Sequence, residues 1–189
     1  MPGQTPSQTV GPFFHDALSW PDAAALVRPE TRGERIAIVG RVLDGDGQPV
    51  PDALIEIWQA NAAGRYDHPE DQQGKPRDPA FRGFGRCASG ADGGFRFATI
   101  RPGCVPGRGN SLQAPHINVG LFARGLLRRL VTRIYFEDAA ENAEDPVLAL
   151  VTDPARRVTL LASRVADDGT VYRFDIVLQG EGETVFFEC

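Results

Sequence analysis

Histidine and tyrosine are the residues of this chain whose side chains best suit metal chemistry, and each occurs only three times. They are His15, His68 and His116, and Tyr66, Tyr135 and Tyr172. A metal site built from imidazole and phenolate ligands must therefore draw on a short list. The motifs G-x-S-x-G, G-x-x-x-x-G-K-[ST], G-x-G-x-x-G and H-E-x-x-H do not occur in the sequence. The commonest signals of hydrolases, nucleotide-binding proteins and metalloproteases are thus missing.

Two irregular segments and the strand that follows them hold the remaining candidates. Tyr66 lies in GRYDH, Val105 in PGCVP, and His116 in APHIN. A lone histidine on an apolar strand is, however, more often a hydrogen-bonded core residue, and a structural role suits Tyr66 as well. His15 and His68 are expected at the surface, and Trp58 in a core or an interface.

The elements that must position these residues are mostly strands. Period-two and β-branched patterns predict strands at 35–43, 53–60 and 94–100, with Asp-Gly pairs in the turn after the first. Further strands are predicted for HINVGLFA, LRRLVTRIYF, RVTLLASRV, TVYRFDIVLQG and TVFFE. Residues 61–92 are predicted to form a long loop, 138–151 short helical pieces and 21–26 a short helix.

The pattern of elements favours a mainly β fold. About eight strands, few helices and no strand–helix alternation predict an antiparallel β-sandwich core with long loops. A length of 189 residues suits one domain. We expect residues 1–34 to form an extended N-terminal arm of that domain and residues 35–189 to form the sandwich.

Charge and composition limit the classes of partner. The chain has 20 basic and 25 acidic residues and a net charge of −5, which disfavours nucleic-acid binding. No apolar run approaches the ~20 residues of a membrane helix, and the first residues lack a signal-peptide pattern, so a cytoplasmic location is expected. Cys87, Cys104 and Cys189 form no C-x-x-C pair and are expected to be reduced.

Several of these segments together resemble the intradiol ring-cleaving dioxygenases, which are non-haem ferric enzymes on a β-sandwich core. The resemblance rests on GRVLDGDGQPVPDALIEIWQANAAGRYDH, FGRCASGADGGFRFATIRPG, APHINVGLFARG and RIYF, and runs from about residue 40 to the C-terminus. The family pattern implies four ligands: a tyrosine in G-x-Y, a tyrosine in P-G-x-Y and two histidines in H-x-H. Anionic phenolates suit Fe(III), which is a hard cation, and imidazoles complete the shell.

Two of the four implied ligands are missing from this chain. Tyr66 and His116 are retained, but Val105 and Asn118 occupy the other two ligand positions. Where the family's catalytic chains carry an arginine, three residues before the first histidine, this chain has Gln113. Valine cannot coordinate a metal, so the resemblance implies a retained scaffold with vestigial metal-ligand positions and no iron in this chain.

SQTVGPFFH at 7–15 and the tail GEGETVFFE extend the resemblance to the α subunit of a two-subunit family member. The resemblance implies that this chain pairs with a β subunit that holds Fe(3+), and that αβ protomers form a higher oligomer acting on a small aromatic acid and O2. It also implies that Thr9, Gly11, Pro12 and Arg124 contribute to the substrate pocket across the subunit interface, with no catalytic residue in this chain alone.

The arginine suits a carboxylate because its fork can bind both oxygens and its charge attracts the anion. Arg124 could instead form an interface ion pair, and Thr9, Gly11 and Pro12 could belong to an ordinary terminus. Two alternative functions remain open: a stand-alone dioxygenase with an altered metal site, and a noncatalytic β-sandwich binding or structural module.

Overall fold

The computed structural model describes Thr9, Leu18 and residues 20–165 and 169–188. In this part of the chain the eleven strands are β1 (Arg35–Leu43), β2 (Leu54–Gln59), β3 (Phe84–Ala88), β4 (Gly94–Ile100), β5 (Val105–Pro106), β6 (Leu112–Gln113), β7 (His116–Phe122), β8 (Leu130–Phe136), β9 (Leu161–Arg164), β10 (Val171–Arg173) and β11 (Ile176–Val177). Two 3-10 helices, Ala140–Glu144 and Leu148–Leu150, and one α-helix, α1 (Pro154–Val158), connect β8 to β9. None of the described helices has the length and apolar character of a membrane span.

Nine strands form one mixed sheet. Its order is β11-β1-β10-β9-β8-β7-β2-β3, and β4 pairs with β1. The expected mainly β fold is confirmed, but the sheet is not purely antiparallel, because β1 pairs in parallel with β10 and β11, and β8 with β9. Parallel neighbours need a crossover. Between β8 and β9 this crossover is the segment that contains the short helices. β10 and β11, which pair in parallel with β1, are the last two strands of the chain.

The core lies between two layers of this folded sheet. Ile38 of β1 and Phe97 of β4 belong to the same buried cluster as Ile57 of β2 and Ile117 of β7. Alternate residues of each strand supply these side chains, which leaves the other face of β2, β3, β7 and β8 directed away from the core. That outward face carries the candidate site.

The segment before β1 contributes more to the core than the sequence indicated. Leu26 is 2% exposed and belongs to the main cluster, and Ala25 forms a parallel bridge with Ala98. The predicted helix at 21–26 is wrong, because these residues form turns and the bridge. Asp22 adopts a positive φ of 60°, which a right-handed helix does not allow.

Three further expectations about elements need correction. β3 lies inside the predicted loop 61–92 and is held by its pairing with β2. The segment predicted as the strand RVTLLASRV begins within α1, where Asp153 caps the first turn and Pro154 occupies its start. Residues 184–188 lie outside the regular strands, although the Phe187 amide donates to the carbonyl of Val131.

Candidate functional site

The positions that the sequence predicts as vestigial metal ligands lie around the N-terminal end of β7. His116 and Asn118 share one face of this strand. The Asn118 amide Nδ2 donates to the phenol oxygen of Tyr66 and to the carbonyl of Trp58, each at 3.2 Å. Val105 on β5 lines an open cavity of about 440 Å³ together with Tyr66. The structure therefore joins Tyr66 to Asn118 by a hydrogen bond and to Val105 by a shared cavity, and His116 lies two residues before Asn118 on the same strand.

Backbone contacts fix the Tyr66 loop against the Val105 segment. Gly64 adopts a positive φ of 77°, and a Cβ at this position would lie 1.9 Å from the carbonyl oxygen of Cys104. Lys75, the only lysine of the chain, donates from Nζ to the carbonyl oxygens of Gly64 at 3.2 Å and Cys104 at 2.7 Å. Glycine is thus required at position 64, and Lys75 ties the two segments together.

Tyr66 is a half-buried, neutral phenol. Its ring stacks on Trp58 with a centroid separation of 5.7 Å and an interplanar angle of 16°. Burial raises the pKa of the Tyr66 phenol, although the hydrogen bond from Asn118 and the charge of Arg133 act in the opposite direction. A metal at this phenol would have to displace the proton and the amide of Asn118.

His116 is buried, with 3% of its surface exposed. Its Nδ1 lies 2.8 Å from the carbonyl oxygen of Ala114, which can only accept, so the ring donates the Nδ1 proton. Burial first, and then the charge of Arg133, lower the pKa of His116 from 6.5 to about 4. The imidazole packs against Tyr135 at a centroid distance of 5.7 Å. It is therefore a neutral core histidine.

Arg133 supplies a positive charge that the sequence patterns did not indicate. It lies on β8 directly opposite Asn118. Its Nη1 donates to Gln113 Oε1 at 2.6 Å and to the phenol oxygen of Tyr135 at 3.3 Å. Gln113 stands where the resemblance implies an arginine, and the guanidinium of Arg133 reaches Gln113 from the neighbouring strand. Only the register of β7 and β8 would have revealed this.

The buried carboxylate of Asp145 completes this network. It accepts the Tyr135 hydroxyl at 3.1 Å. It also accepts three backbone amides, those of Ala114, Val147 and Leu148, at 2.7–2.9 Å. Asp145 therefore anchors the 3-10 helices to the start of β7, another role that the sequence patterns did not indicate.

The residues present do not fit ferric iron. The site offers one neutral phenol, one imidazole, an amide already bound to the phenol, and a valine. Fe(III) favours anionic oxygen ligands, and the charge of Arg133 opposes a cation nearby. Within residues 20–165 and 169–188, no group of three or more His, Cys, Asp and Glu side chains could hold a metal.

Thr9 and Arg124, two of the four expected substrate-pocket residues, lie beyond the other end of β7. Arg124 is exposed, and its Nη2 lies 3.6 Å from Asp52 Oδ2. The next residue, Gly125, donates its amide to Thr9 Oγ1 at 3.0 Å. The structure thus brings Thr9 to the Arg124 loop. Gly11 and Pro12, like His15 and Cys189, lie outside the described residues.

The remaining sequence-predicted residues are placed as follows. His68 is exposed, as expected, and stands at the edge of the 440 Å³ cavity. Cys87 and Cys104 carry free thiols in the described part of the chain. Trp58 lies half-buried on the outward face of β2 and not in the core.

Comparison with known proteins identifies relatives along nearly the whole chain. A family model described as "Dioxygenase" matches residues 10–180. The protocatechuate 3,4-dioxygenase alpha chain of Pseudomonas putida is 45% identical over 198 residues, covering 98% of this chain and 96% of that one. The protocatechuate 3,4-dioxygenase beta chain of Burkholderia cepacia is 42% identical over 186 residues, covering 94% of this chain and 77% of that one.

The fold has counterparts among solved structures. The dioxygenase domain of a dioxygenase and carbohydrate-binding fusion protein from Streptomyces sp. SirexAA-E superposes with a TM-score of 0.64 at 30% identity, covering 95% of this chain and 97% of that one. The similarity therefore extends over the whole sandwich and the loops that carry the candidate site.

Proposed function

The chain belongs to the intradiol ring-cleaving dioxygenase family, and from this premise we propose that it is the noncatalytic α chain of a protocatechuate 3,4-dioxygenase. The complete enzyme inserts both atoms of O2 into the ring of protocatechuate and opens it to 3-carboxy-cis,cis-muconate, a step in the breakdown of aromatic compounds. The family is iron-dependent, and we assign the Fe(3+) to a partner β chain.

One observation carries the proposal: two of the four positions where the resemblance implies metal ligands hold Val105 and Asn118 in place of tyrosine and histidine. The Asn118 amide donates to the Tyr66 phenol oxygen at 3.2 Å, and Val105 lines the 440 Å³ cavity together with Tyr66. A stand-alone dioxygenase would need a metal site at this place. The preserved scaffold and the unsuitable donors together support a subunit that contributes binding surface and leaves the chemistry to its partner.

The existence of a separate β chain supports the partner. The P. putida alpha chain and the B. cepacia beta chain are both similar to more than nine-tenths of this chain. Two homologous chains with the same fold can form αβ protomers, which we propose assemble into a higher oligomer.

Thr9, Gly11, Pro12 and Arg124 are proposed to line the partner's substrate pocket. The hydrogen bond between Thr9 and Gly125 supports this role, because it places Thr9 beside the loop that carries Arg124. Arg124 is exposed, and its ion pair with Asp52 has a long distance of 3.6 Å, so its guanidinium is available to an anionic substrate. The carboxylate of protocatechuate is the group that it would bind.

Oxygen uptake with protocatechuate tests the proposal. We expect no uptake from this chain alone and full uptake when it is co-expressed with a β chain that carries two tyrosine and two histidine ligands. Uptake by this chain alone would favour a stand-alone dioxygenase. Failure to associate with such a β chain would favour a binding or structural module outside the enzyme.

A further inference from the structure

The vacated site, defined by positions 66, 105, 116 and 118, has a guanidinium with free donors beside it. Arg133 on β8 is paired in register with Asn118. Its Nη1 donates to Gln113 Oε1 at 2.6 Å and to the Tyr135 hydroxyl oxygen at 3.3 Å. Its Nε and Nη2 donate to no described residue, and neither atom is fully enclosed by the described part of the chain. These two nitrogens therefore remain free to donate to an acceptor from outside.

The charge of Arg133 also lacks a counterion. Arg133 is half-buried, and no carboxylate of the described residues forms an ion pair with it. The acidic member of its hydrogen-bond network is Asp145, which accepts the Tyr135 hydroxyl and three backbone amides instead. Charged side chains that are removed from water are usually paired with an opposite charge. A half-buried arginine without such a pair is suited to binding an anion.

The Tyr66 hydroxyl provides a further donor. Its oxygen accepts from Asn118 Nδ2 at 3.2 Å, but its proton is donated to no described residue. Burial raises the pKa of this phenol above its ordinary value of 10, so the proton is present at neutral pH. The charge of Arg133 acts on this phenol and on the imidazole of His116, which places the guanidinium near both. Arg133 and the Tyr66 hydroxyl can therefore serve one ligand.

The cavity of about 440 Å³ gives a ligand room beside these donors. Its apolar lining consists of Trp58, Tyr66, Val105 and Pro106. Gln113 Nε2 donates to the Pro106 carbonyl at 3.0 Å, and Oε1 of the same amide accepts from Arg133. The guanidinium is thus one side chain away from the cavity wall. Aromatic and apolar walls with a few polar groups are typical of sites for small organic molecules, and here they suit a flat apolar body.

Two carboxylates on the Tyr66 loop also line the cavity, and they favour one orientation of a ligand. Asp71 accepts the backbone amides of Tyr66 at 2.8 Å and Gln73 at 3.1 Å, and Glu70 is exposed. Because like charges repel, an anionic group is disfavoured beside this loop and favoured beside Arg133. A ligand would therefore direct its charged group towards Arg133.

We propose that the vacated site is an anion site, which binds a small carboxylate with a flat apolar body. The carboxylate accepts from Arg133 and from the Tyr66 hydroxyl, and the apolar body lies against Trp58 and Val105. The charge preference of the site is therefore the reverse of that of a ferric site. This inference goes beyond the proposed function, because it describes binding by this chain alone and requires neither a partner chain nor a metal.

Tryptophan fluorescence measures this binding. The chain has two tryptophans, Trp20 and Trp58. In Trp20→Phe, the remaining Trp58 reports on the cavity that it lines. Titration of this whole chain with benzoate should give a saturable change. Phenol, which lacks the carboxylate, and acetate, which lacks the ring, should each bind at least about tenfold more weakly.

Substitutions of Arg133 in the same background test its role. Arg133→Gln should weaken benzoate binding about tenfold or more, because a charge-assisted contact is lost. Arg133→Lys keeps the charge without the planar fork and should retain part of the affinity. The matched control is Arg96→Gln, which removes one positive charge from an exposed arginine on β4 and should bind benzoate like the parent chain. Circular dichroism shows whether each variant is folded.

The outcomes are distinct. Absence of a saturable change with benzoate would overturn the proposal, and so would an unchanged affinity in folded Arg133→Gln. Phenol or acetate that binds as tightly as benzoate would also contradict it, because the carboxylate or the ring would then contribute nothing. Should Arg133→Gln fail to fold, the comparison of the three ligands decides, together with Arg133→Lys, which should bind benzoate more weakly than the parent chain. None of these measurements uses oxygen uptake, so this inference and the proposed function can fail separately.

Discussion

Asn118 occupies the position where the family pattern has its second histidine, and its amide now donates to the phenol of Tyr66. Burial first, and then the charge of the neighbouring Arg133, lower the pKa of His116, and burial raises the pKa of Tyr66 against the effect of the same charge. The site thus lacks two of the implied ligands, and Arg133 places a positive charge beside it. Restoring the ligands alone leaves a cation beside the place where iron would bind.

This charge predicts how the metal site can be restored. Val105→Tyr with Asn118→His should bind little ferric iron while Arg133 is present, and measurable iron once Arg133→Gln is added, because like charges at short range oppose binding. Iron content and the phenolate-to-iron absorption band measure the result, and Arg133→Gln alone is the control. Position 105 is 4% exposed, so overpacking by ~1–3 kcal/mol must be checked by circular dichroism. Equal iron in the double and triple variants would show that the charge has no influence.

His116 predicts a pH dependence of stability. Its pKa is lowered to about 4 in the folded chain, so its contribution is complete above the unfolded value near 6.5 and is lost as the pH falls toward 4. The wild type should lose on the order of 3 kcal/mol through this group between pH 7 and pH 4. Urea unfolding of the wild type and His116→Gln at several pH values measures the difference. Identical pH slopes would contradict the assignment.

Arg124 predicts a substrate-dependent kinetic effect. In the assembled enzyme, Arg124→Ala should raise KM for protocatechuate by about ten- to a hundredfold and leave KM for uncharged catechol nearly unchanged, because a charge-assisted contact with the carboxylate is lost. Arg128→Ala, at another exposed arginine of the same loop, is the matched control. Equal effects on both substrates would leave Arg124 as an interface residue.

At the scale of elements, the sequence predicted those strands in which hydrophobic residues alternate within the strand itself. β1, β2 and β4 were expected because β-branched and aromatic residues alternate along them. β3 was not expected, since Phe84–Ala88 lies among glycine, proline and arginine and depends on pairing with β2. The hairpin of β5 and β6 is likewise too short to show a period.

The same distinction applies to the candidate site. Tyr66, Val105, His116 and Asn118 could be found because they lie in recognisable motifs. Arg133 and Asp145 could not be found in this way. The role of Arg133 depends on the register of β7 and β8, and the role of Asp145 depends on which backbone amides its buried carboxylate accepts in the folded chain. Leu26 also joined the core through tertiary contacts that no local pattern encodes.

Asp145 links these elements and predicts a large effect on stability. Asp145→Ala should lower the free energy of unfolding by roughly 3–5 kcal/mol, because it leaves three backbone amides and the Tyr135 hydroxyl without their buried acceptor. The control is Asp153→Ala, which removes an exposed N-cap acceptor of α1 and should cost about 1 kcal/mol. Chemical denaturation of both variants provides the comparison. Similar losses would show that Asp145 does not anchor the 3-10 helices.

At the scale of the whole molecule, this chain is similar to both the alpha chain and the beta chain of protocatechuate 3,4-dioxygenases. A pair of homologous chains offers two equivalent places for a metal. We propose that one place holds iron and the other keeps only the scaffold, while Thr9, Gly11, Pro12 and Arg124 of this chain serve the partner's pocket.

Iron content of the purified complex tests this account most directly. Elemental analysis, together with a protein concentration from amino-acid analysis, gives the number of iron atoms per pair of chains. We predict one iron per αβ pair, with the phenolate-to-iron absorption band lost when a tyrosine ligand of the β chain is replaced. Two irons per pair, or iron that survives loss of the β-chain ligands, would contradict the claim that this chain carries a vacated site.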